Sequence, residues 1–374
     1  MNDLEYYIKE QILGNGPLTF ADFMNYALYH PVLGYYSSGN VKIGKKGDFY
    51  TSPHVSPAFG EIIGIFIEKV INYMEISNFT ILELGAGKGY LALDILNYFS
   101  DKPELYKLIN YIIVDNNSPD SYISELKIYE NKINIFNNIN KLDSFLEGII
   151  ISNELIDSLP FHRIIYQNKK FNEIYVNYEK NEFIEIIGEL STEDINHYLN
   201  KYDLNLADSK QFEVNLFAKE ILKDINSLFE RGYILTIDYG NLFEEYFNNK
   251  KLNGTFRCFF KHKINDNPYI NIGYQDITCD VDFTNLIQSG IEIGLDNIKY
   301  TTQGQFLADW GILNIIERDI KKLDQNQINS IKNLFMPGMM GNYFKVLLQS
   351  KNILKAGDIY PESNLKLSFG VNVN

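Results

Sequence analysis

The chain has 374 residues, of which 45% are apolar and 22% charged, and carries a formal net charge of −14. That length allows one large domain or two modest ones with a sizeable core, while the acidic balance argues against a nucleic-acid partner, because binding phosphates requires a basic face. The N-terminus has neither an apolar h-region nor an Arg/Ser-rich transit pattern, and no long charge-free run follows. A chain of the prokaryotic cytoplasm, without membrane insertion, is therefore expected.

In chain order, residues 3–13 and 19–30 read as short helices, broken by Gly14-Asn15-Gly16-Pro17, with Thr19 as the N-cap of the second. From His30 to Pro53 the chain mixes glycines, aromatics and small polar residues without a period. Ordered loops of that length are usually functional, and a lid over a ligand is expected. After a helix near 57–74, strands and helices alternate: strand 79–84, helix 89–99, strand 110–115, helix 119–127, strand 132–136, helix 139–146 and strand 148–153. This alternation predicts a parallel sheet.

Residues 160–208 break the alternation with strands near 162–166, 171–178 and 182–188 and a polar helical stretch, and read as an insertion or cap. A helix near 210–230 and a strand over 232–238 resume the core, followed by irregular chain to 277. A helix at 281–289, a strand at 294–300, helical chain over 303–334 and a final strand at 343–349 complete it. The domain reading is N-terminal helices and lid loop over 1–75, a catalytic domain over 76–350 carrying the insertion, and a C-terminal tail over 351–374.

The run Thr80 to Leu96 is an apolar strand, a glycine-rich turn and an amphipathic helix. Gly85, Gly87 and Gly89 at alternate positions let the backbone pass close to a ligand, and the helix that follows presents unpaired amides to it. A dinucleotide fingerprint needs a glycine where this chain has Tyr90, and Glu83 before the turn would repel a pyrophosphate. Glu83 together with Asp115, which closes the next apolar run, suits a cofactor with an ammonium and a ribose but no phosphate. That description fits S-adenosylmethionine (SAM). Ligands of open parallel sheets lie outside the carboxyl ends of the strands, which adds Ser152-Asn153-Glu154 and Asp238-Tyr239-Gly240 to the site candidates. Cys258 and Cys279 lack metal or redox spacing, and the histidines form no ligand cluster, so neither a metal nor a disulfide is expected.

These segments are joined by others in matching order: Gly16-Pro17-Leu18-Thr19, Gly34-Tyr35-Tyr36, Gly47-Asp48-Phe49-Tyr50-Thr51-Ser52-Pro53, Asn153-Glu154-Leu155-Ile156-Asp157-Ser158-Leu159-Pro160, Thr302-Gln303-Gly304-Gln305-Phe306 and Phe344-Lys345-Val346. Almost end to end, the chain resembles the MidA-like family of SAM-dependent methyltransferases, whose mitochondrial member is an assembly factor of respiratory complex I. It departs from the family's usual residues at His54, Lys88 and Ala86, and the context of Asp115 is shifted.

The resemblance implies a Rossmann-like class I methyltransferase fold, a seven-stranded sheet whose last strand, Phe344 to Leu348, is antiparallel, with a helical N-terminal extension and an inserted cap. It implies SAM as cofactor and N-methylation of a protein arginine, on the model of a complex I subunit; a homodimer is among the oligomeric states left open. Glu83, Gly85, Gly87, Gly89, Asp115 and Asn153 are the cofactor-binding candidates, and Glu154, Asp157 and Asp48 the catalytic ones. Carboxylates there could hold a guanidinium bidentately and localise its charge on the nitrogens away from the attack. Two other readings stand beside this one: a methyltransferase of a small metabolite, and a non-catalytic assembly chaperone that retains a SAM-shaped pocket.

Overall fold

Three apolar runs, Phe79–Leu84, Ile109–Val114 and the Ile149–Ile151 stretch, are too short for helices and are bounded by turn residues; each becomes a strand of one twisted sheet. The computed structural model describes residues 1–37, 51–116, 121–202, 204, 206–247 and 252–362. These divide into two units, one drawn from Met1–Phe49, Ile156–Ile221 and Asn241–Thr284, the other from Tyr50–Leu155, Leu222–Gly240 and Asn285–Asn374.

The second unit holds strands that we number β1 (Phe79–Leu84), β2 (Ile109–Val114), β3 (Ile133–Phe136), β4 (Phe145–Asn153), β5 (Phe229–Asn241), β6 (Asp296–Thr302) and β7 (Phe344–Lys351). They run side by side in the order β6-β7-β5-β4-β1-β2-β3, and the sheet counts one further short strand among the described residues, eight where the resemblance implied seven. The pairs β2–β3, β1–β2, β1–β4 and β4–β5 are parallel, and β7 lies antiparallel between β5 and β6. The antiparallel last strand expected from the resemblance is thus present. From β1 the chain moves outward to β2 and β3, then returns to the other side of β1 for β4. The switch point lies between β1 and β4, where Leu84 is level with Ser152.

The core on this sheet joins the helices Ala58–Met74 and Tyr90–Ser100 to β1, β4, β5 and β7 through Phe66, Phe79, Phe99, Ile149, Tyr233 and Leu348, among others. The two helices approach closely because Gly60 and Gly64 carry no side chain: a Cβ on Gly60 would lie 2.3 Å from Asp94 Cβ, and one on Gly64 2.7 Å from the Tyr98 ring.

In the other unit, Lys170–Glu179 is the centre of an antiparallel sheet that includes Leu18–Thr19, His162–Gln167, Glu182–Gly188 and Lys210–Val214. The helices Asp3–Asn15 and Phe20–Tyr29 pack on an aromatic core with Phe161, Tyr35 and Cys258, and Thr19 caps the second helix through the Asp22 amide, as expected. Arg163 is buried between the rings of Phe20 and Phe256, 5.1 and 4.5 Å from their centroids, and donates to Glu185 and to Gln211.

Several sequence expectations need correction. Lys210–Val214 is a strand, and the helix there starts only at Phe217; the alternation is too short to be told from the start of a helix. In place of the helices expected at 119–127 and 139–146 stand 3-10 turns, Ser124–Tyr129 and Ile139–Lys141. The first buries only Leu126 and Tyr129, and the second buries nothing. Residues 241–277, read as irregular, contain the helix Phe243–Phe247 and a three-stranded antiparallel sheet of Arg257–Phe260, Lys263–Asn265 and Asp276–Thr278. The helical chain over 303–334 is three helices, interrupted at Gly311, where φ is +97°, and again before the capping box of Asp324 and Gln327.

Candidate functional site

At the carboxyl end of β1 the backbone enters a turn that only glycine adopts without strain: φ is +70° at Gly85, +59° at Gly87 and +82° at Gly89. The turn is pinned on both sides. The Gly85 amide donates to the Val114 carbonyl at 2.9 Å, and the Gly87 amide to Asp115 Oδ2 at 2.8 Å. Across the turn, the Lys88 carbonyl accepts from the Ile123 amide at 3.0 Å while its ammonium donates to the Ser121 carbonyl at 3.1 Å. A Cβ on Gly85 would meet Leu155 at 3.0 Å, and one on Gly89 would meet Leu126 at 2.7 Å and the Tyr122 ring at 3.1 Å. Gly89 caps the helix Tyr90–Ser100 without a side chain, so the first-turn amides face the turn unsatisfied from that position.

Glu83 is 3% exposed and accepts from the Tyr111 hydroxyl at 2.6 Å. Burial outweighs that hydrogen bond and raises its carboxyl to about 7; the charges of Asp115 and Asp94 push the same way. Asp94, on the helix after the turn, is likewise raised to about 7 by burial and by the charge of Glu61. Asp115 is partly exposed.

At the end of β4, Glu154 stands in left-handed backbone, φ +55°, with its amide bonded to the Ile237 carbonyl at 2.9 Å. Its Oε1 accepts from the Ser52 amide and from Asn153 Nδ2, both at 3.2 Å. Asp238 at the end of β5 is fully buried and accepts from the backbone amides of Leu155 at 3.2 Å and Tyr239 at 2.9 Å, a role in holding the two strand ends together. Thus Glu83, Gly85, Gly87, Gly89, Asp115, Asn153 and Glu154 all belong to the carboxyl edge of one sheet, around its switch point. Asp157 belongs to the other unit, in the 3-10 turn Ile156–Ser158, where it is 4% exposed and its carbonyl accepts from the Cys279 amide at 3.0 Å. Asp48 and most of the expected lid loop lie outside the described residues.

Sequence reasoning missed Tyr122. It lies in the short segment bonded to Lys88, and its hydroxyl is enclosed with no hydrogen-bond partner among the described residues, while burial, followed by the charges of Asp115 and Glu83, pushes its ionisation up. No local pattern marks it. Asn153 Oδ1, at the end of β4, is a second enclosed atom without a partner among the described residues. Buried polar atoms are normally satisfied, so these two are open to a ligand's polar groups. Hydroxyls and an ammonium would match them, and a pyrophosphate would not, so these residues fit SAM. When bound, SAM supplies an electrophilic methyl group on a sulfonium sulfur.

A doubly wound sheet with one antiparallel strand and a glycine turn at its switch point defines a class I methyltransferase. The chain belongs to the family described as "Putative S-adenosyl-L-methionine-dependent methyltransferase", whose model matches residues 62–301, and is accordingly a SAM-dependent methyltransferase. Over 92% of its length it is 28% identical to the Caenorhabditis elegans mitochondrial protein arginine methyltransferase NDUFAF7 homolog, covering 85% of that protein. It is 26% identical to human NDUFAF7, over 91% of this chain and 82% of the human one. In fold it is similar to a Burkholderia thailandensis methyl transferase candidate crystallised with S-adenosyl-homocysteine, with a TM-score of 0.87 at 24% identity over 96% of this chain and 95% of that one. No helix among the described residues is long and apolar enough to cross a membrane.

Proposed function

We propose that the protein transfers the SAM methyl group to a guanidinium nitrogen of an arginine in a partner protein, in the cytoplasm of a prokaryote, with a subunit of a complex I type enzyme as the acceptor. The names of the NDUFAF7 relatives support arginine as the target. The observation in this chain that carries the reading is Glu154, a carboxylate fixed at the end of β4 beside the switch point. A guanidinium, with its pKa above about 12, is a poor nucleophile, and a carboxylate that pairs with its far nitrogens leaves electron density on the attacking one. In-line transfer then depends on positioning and electrostatics more than on proton transfer. Asp157 and Asp48 are further candidates for pairing with the guanidinium, each to be tested by its own variant.

The test is to incubate purified protein with methyl-labelled SAM and extract from cells that lack it, then hydrolyse the labelled protein and identify the modified residue. Methylarginine in a protein band supports the reading. Label confined to small molecules points to a metabolite acceptor. No label from a protein that binds SAM points to a non-catalytic assembly role.

A further inference from the structure

His54 is an unexplained group at the edge of the glycine turn. It lies in the short helical turn Ser52–Val55, which is fixed in place: the Ser52 amide donates to Glu154, the Ser52 hydroxyl donates to Gln303 Oε1 at 3.0 Å, and the His54 amide donates to the Thr51 carbonyl at 2.9 Å. The His54 ring packs against Tyr90, the first residue of the helix after the turn, with centroids 4.3 Å apart and planes at 59°. Its Nδ1 is paired with the Thr51 hydroxyl, but its Nε2 is enclosed and meets no partner among the described residues. Burial, followed by the positive charge of Lys88, lowers its pKa to about 4, so the ring is neutral at physiological pH and has one N–H to give.

An enclosed, unsatisfied ring nitrogen on a backbone held this firmly costs stability unless something bonds to it. The surroundings select the partner. The first-turn amides of an eleven-residue helix, its positive end, and the charge of Lys88 all favour an anionic group. SAM bound at the glycine turn carries one anionic group, the carboxylate of its methionine portion.

We infer that His54 Nε2–H donates to the methionine carboxylate of the cofactor and so selects for ligands with an intact amino-acid end. In this proposal the Thr51 hydroxyl is taken as donor to Nδ1, which leaves the proton on Nε2. This rests on the cofactor assignment made above, and the experiment separates the two.

Calorimetry would compare S-adenosyl-homocysteine with its decarboxylated analogue, which keeps the amine, on the parent, His54→Phe and His54→Gln, each checked for an unchanged melting transition. His54→Phe is expected to weaken S-adenosyl-homocysteine by roughly tenfold, the scale of one hydrogen bond to a charged group, and to leave the decarboxylated analogue unaffected. His54→Gln, with an amide N–H in place of Nε2–H, should restore most of the affinity. An equal loss for both ligands, or no loss for either, overturns the assignment of His54. A parent that binds neither ligand overturns the cofactor site itself.

Discussion

The amide of Gly87 is bonded to the carboxylate of Asp115 at 2.8 Å, so the turn after β1 and the end of β2 form one piece. Asp115 therefore shapes the turn through Oδ2, and its contact with the cofactor, expected from the sequence, is what its variants test. Asp115→Ala should lower S-adenosyl-homocysteine affinity by roughly tenfold or more, and Asp115→Asn, which keeps an acceptor for Gly87, by less. Calorimetric titration checks it, and equal affinities for all three proteins would remove Asp115 from the site.

Gly87 at φ +59° tolerates no β-branched residue. Gly87→Val should abolish cofactor binding while leaving the sheet intact, because Gly87 follows the end of β1 and lies in no strand. Titration followed by circular dichroism distinguishes the two effects. Retained binding would show that the turn does not shape the ligand site.

Glu154→Gln keeps an oxygen that can accept from the Ser52 amide and from Asn153, so the end of β4 should hold its form. The charge is lost, and one carboxylate oxygen becomes an N–H donor. Turnover is expected to fall by at least roughly tenfold, on the order of 1.4 kcal/mol in the barrier, with cofactor affinity nearly intact. Unchanged turnover would remove the carboxylate from the reaction.

Glu83 and Asp94 keep their protons to about pH 7 in the fold, well above their ordinary values. A carboxyl raised on folding contributes stability that is fully present below its unfolded pKa and is lost as pH rises through its folded one. The ligand-free protein should thus lose on the order of 1–3 kcal/mol from Glu83 between about pH 5 and 8. Glu83→Gln, which still accepts from Tyr111, should flatten that part of the profile in urea denaturation; parallel profiles for parent and variant would refute the assignment.

Much of the catalytic sheet could be read from the chain, because Phe79–Leu84 and Ile109–Val114 are apolar runs closed by turn residues and the glycine turn follows immediately. The strand Lys210–Val214 escaped because Phe212 and Val214 alternate only once before Phe217 begins a helix. Short strands such as Lys263–Asn265 carry no period at all, and they form because Cys258 and its neighbours pair with them. The site divides in the same way. Glycines and acidic strand ends are chemical signals in sequence, whereas the enclosed Tyr122 hydroxyl and His54 Nε2 become evident only once packing has closed around them.

Glu154 occupies backbone that glycine would accept without strain and that glutamate does not favour. Glu154→Gly would relieve that strain but strip the Ser52 amide and Asn153 Nδ2 of their acceptor and add glycine's backbone entropy, so the glycine protein should be no more resistant to denaturant than the parent. The hydrogen bonds of one side chain thus hold an unfavourable backbone in place, and libraries built to stabilise this enzyme should hold position 154 fixed.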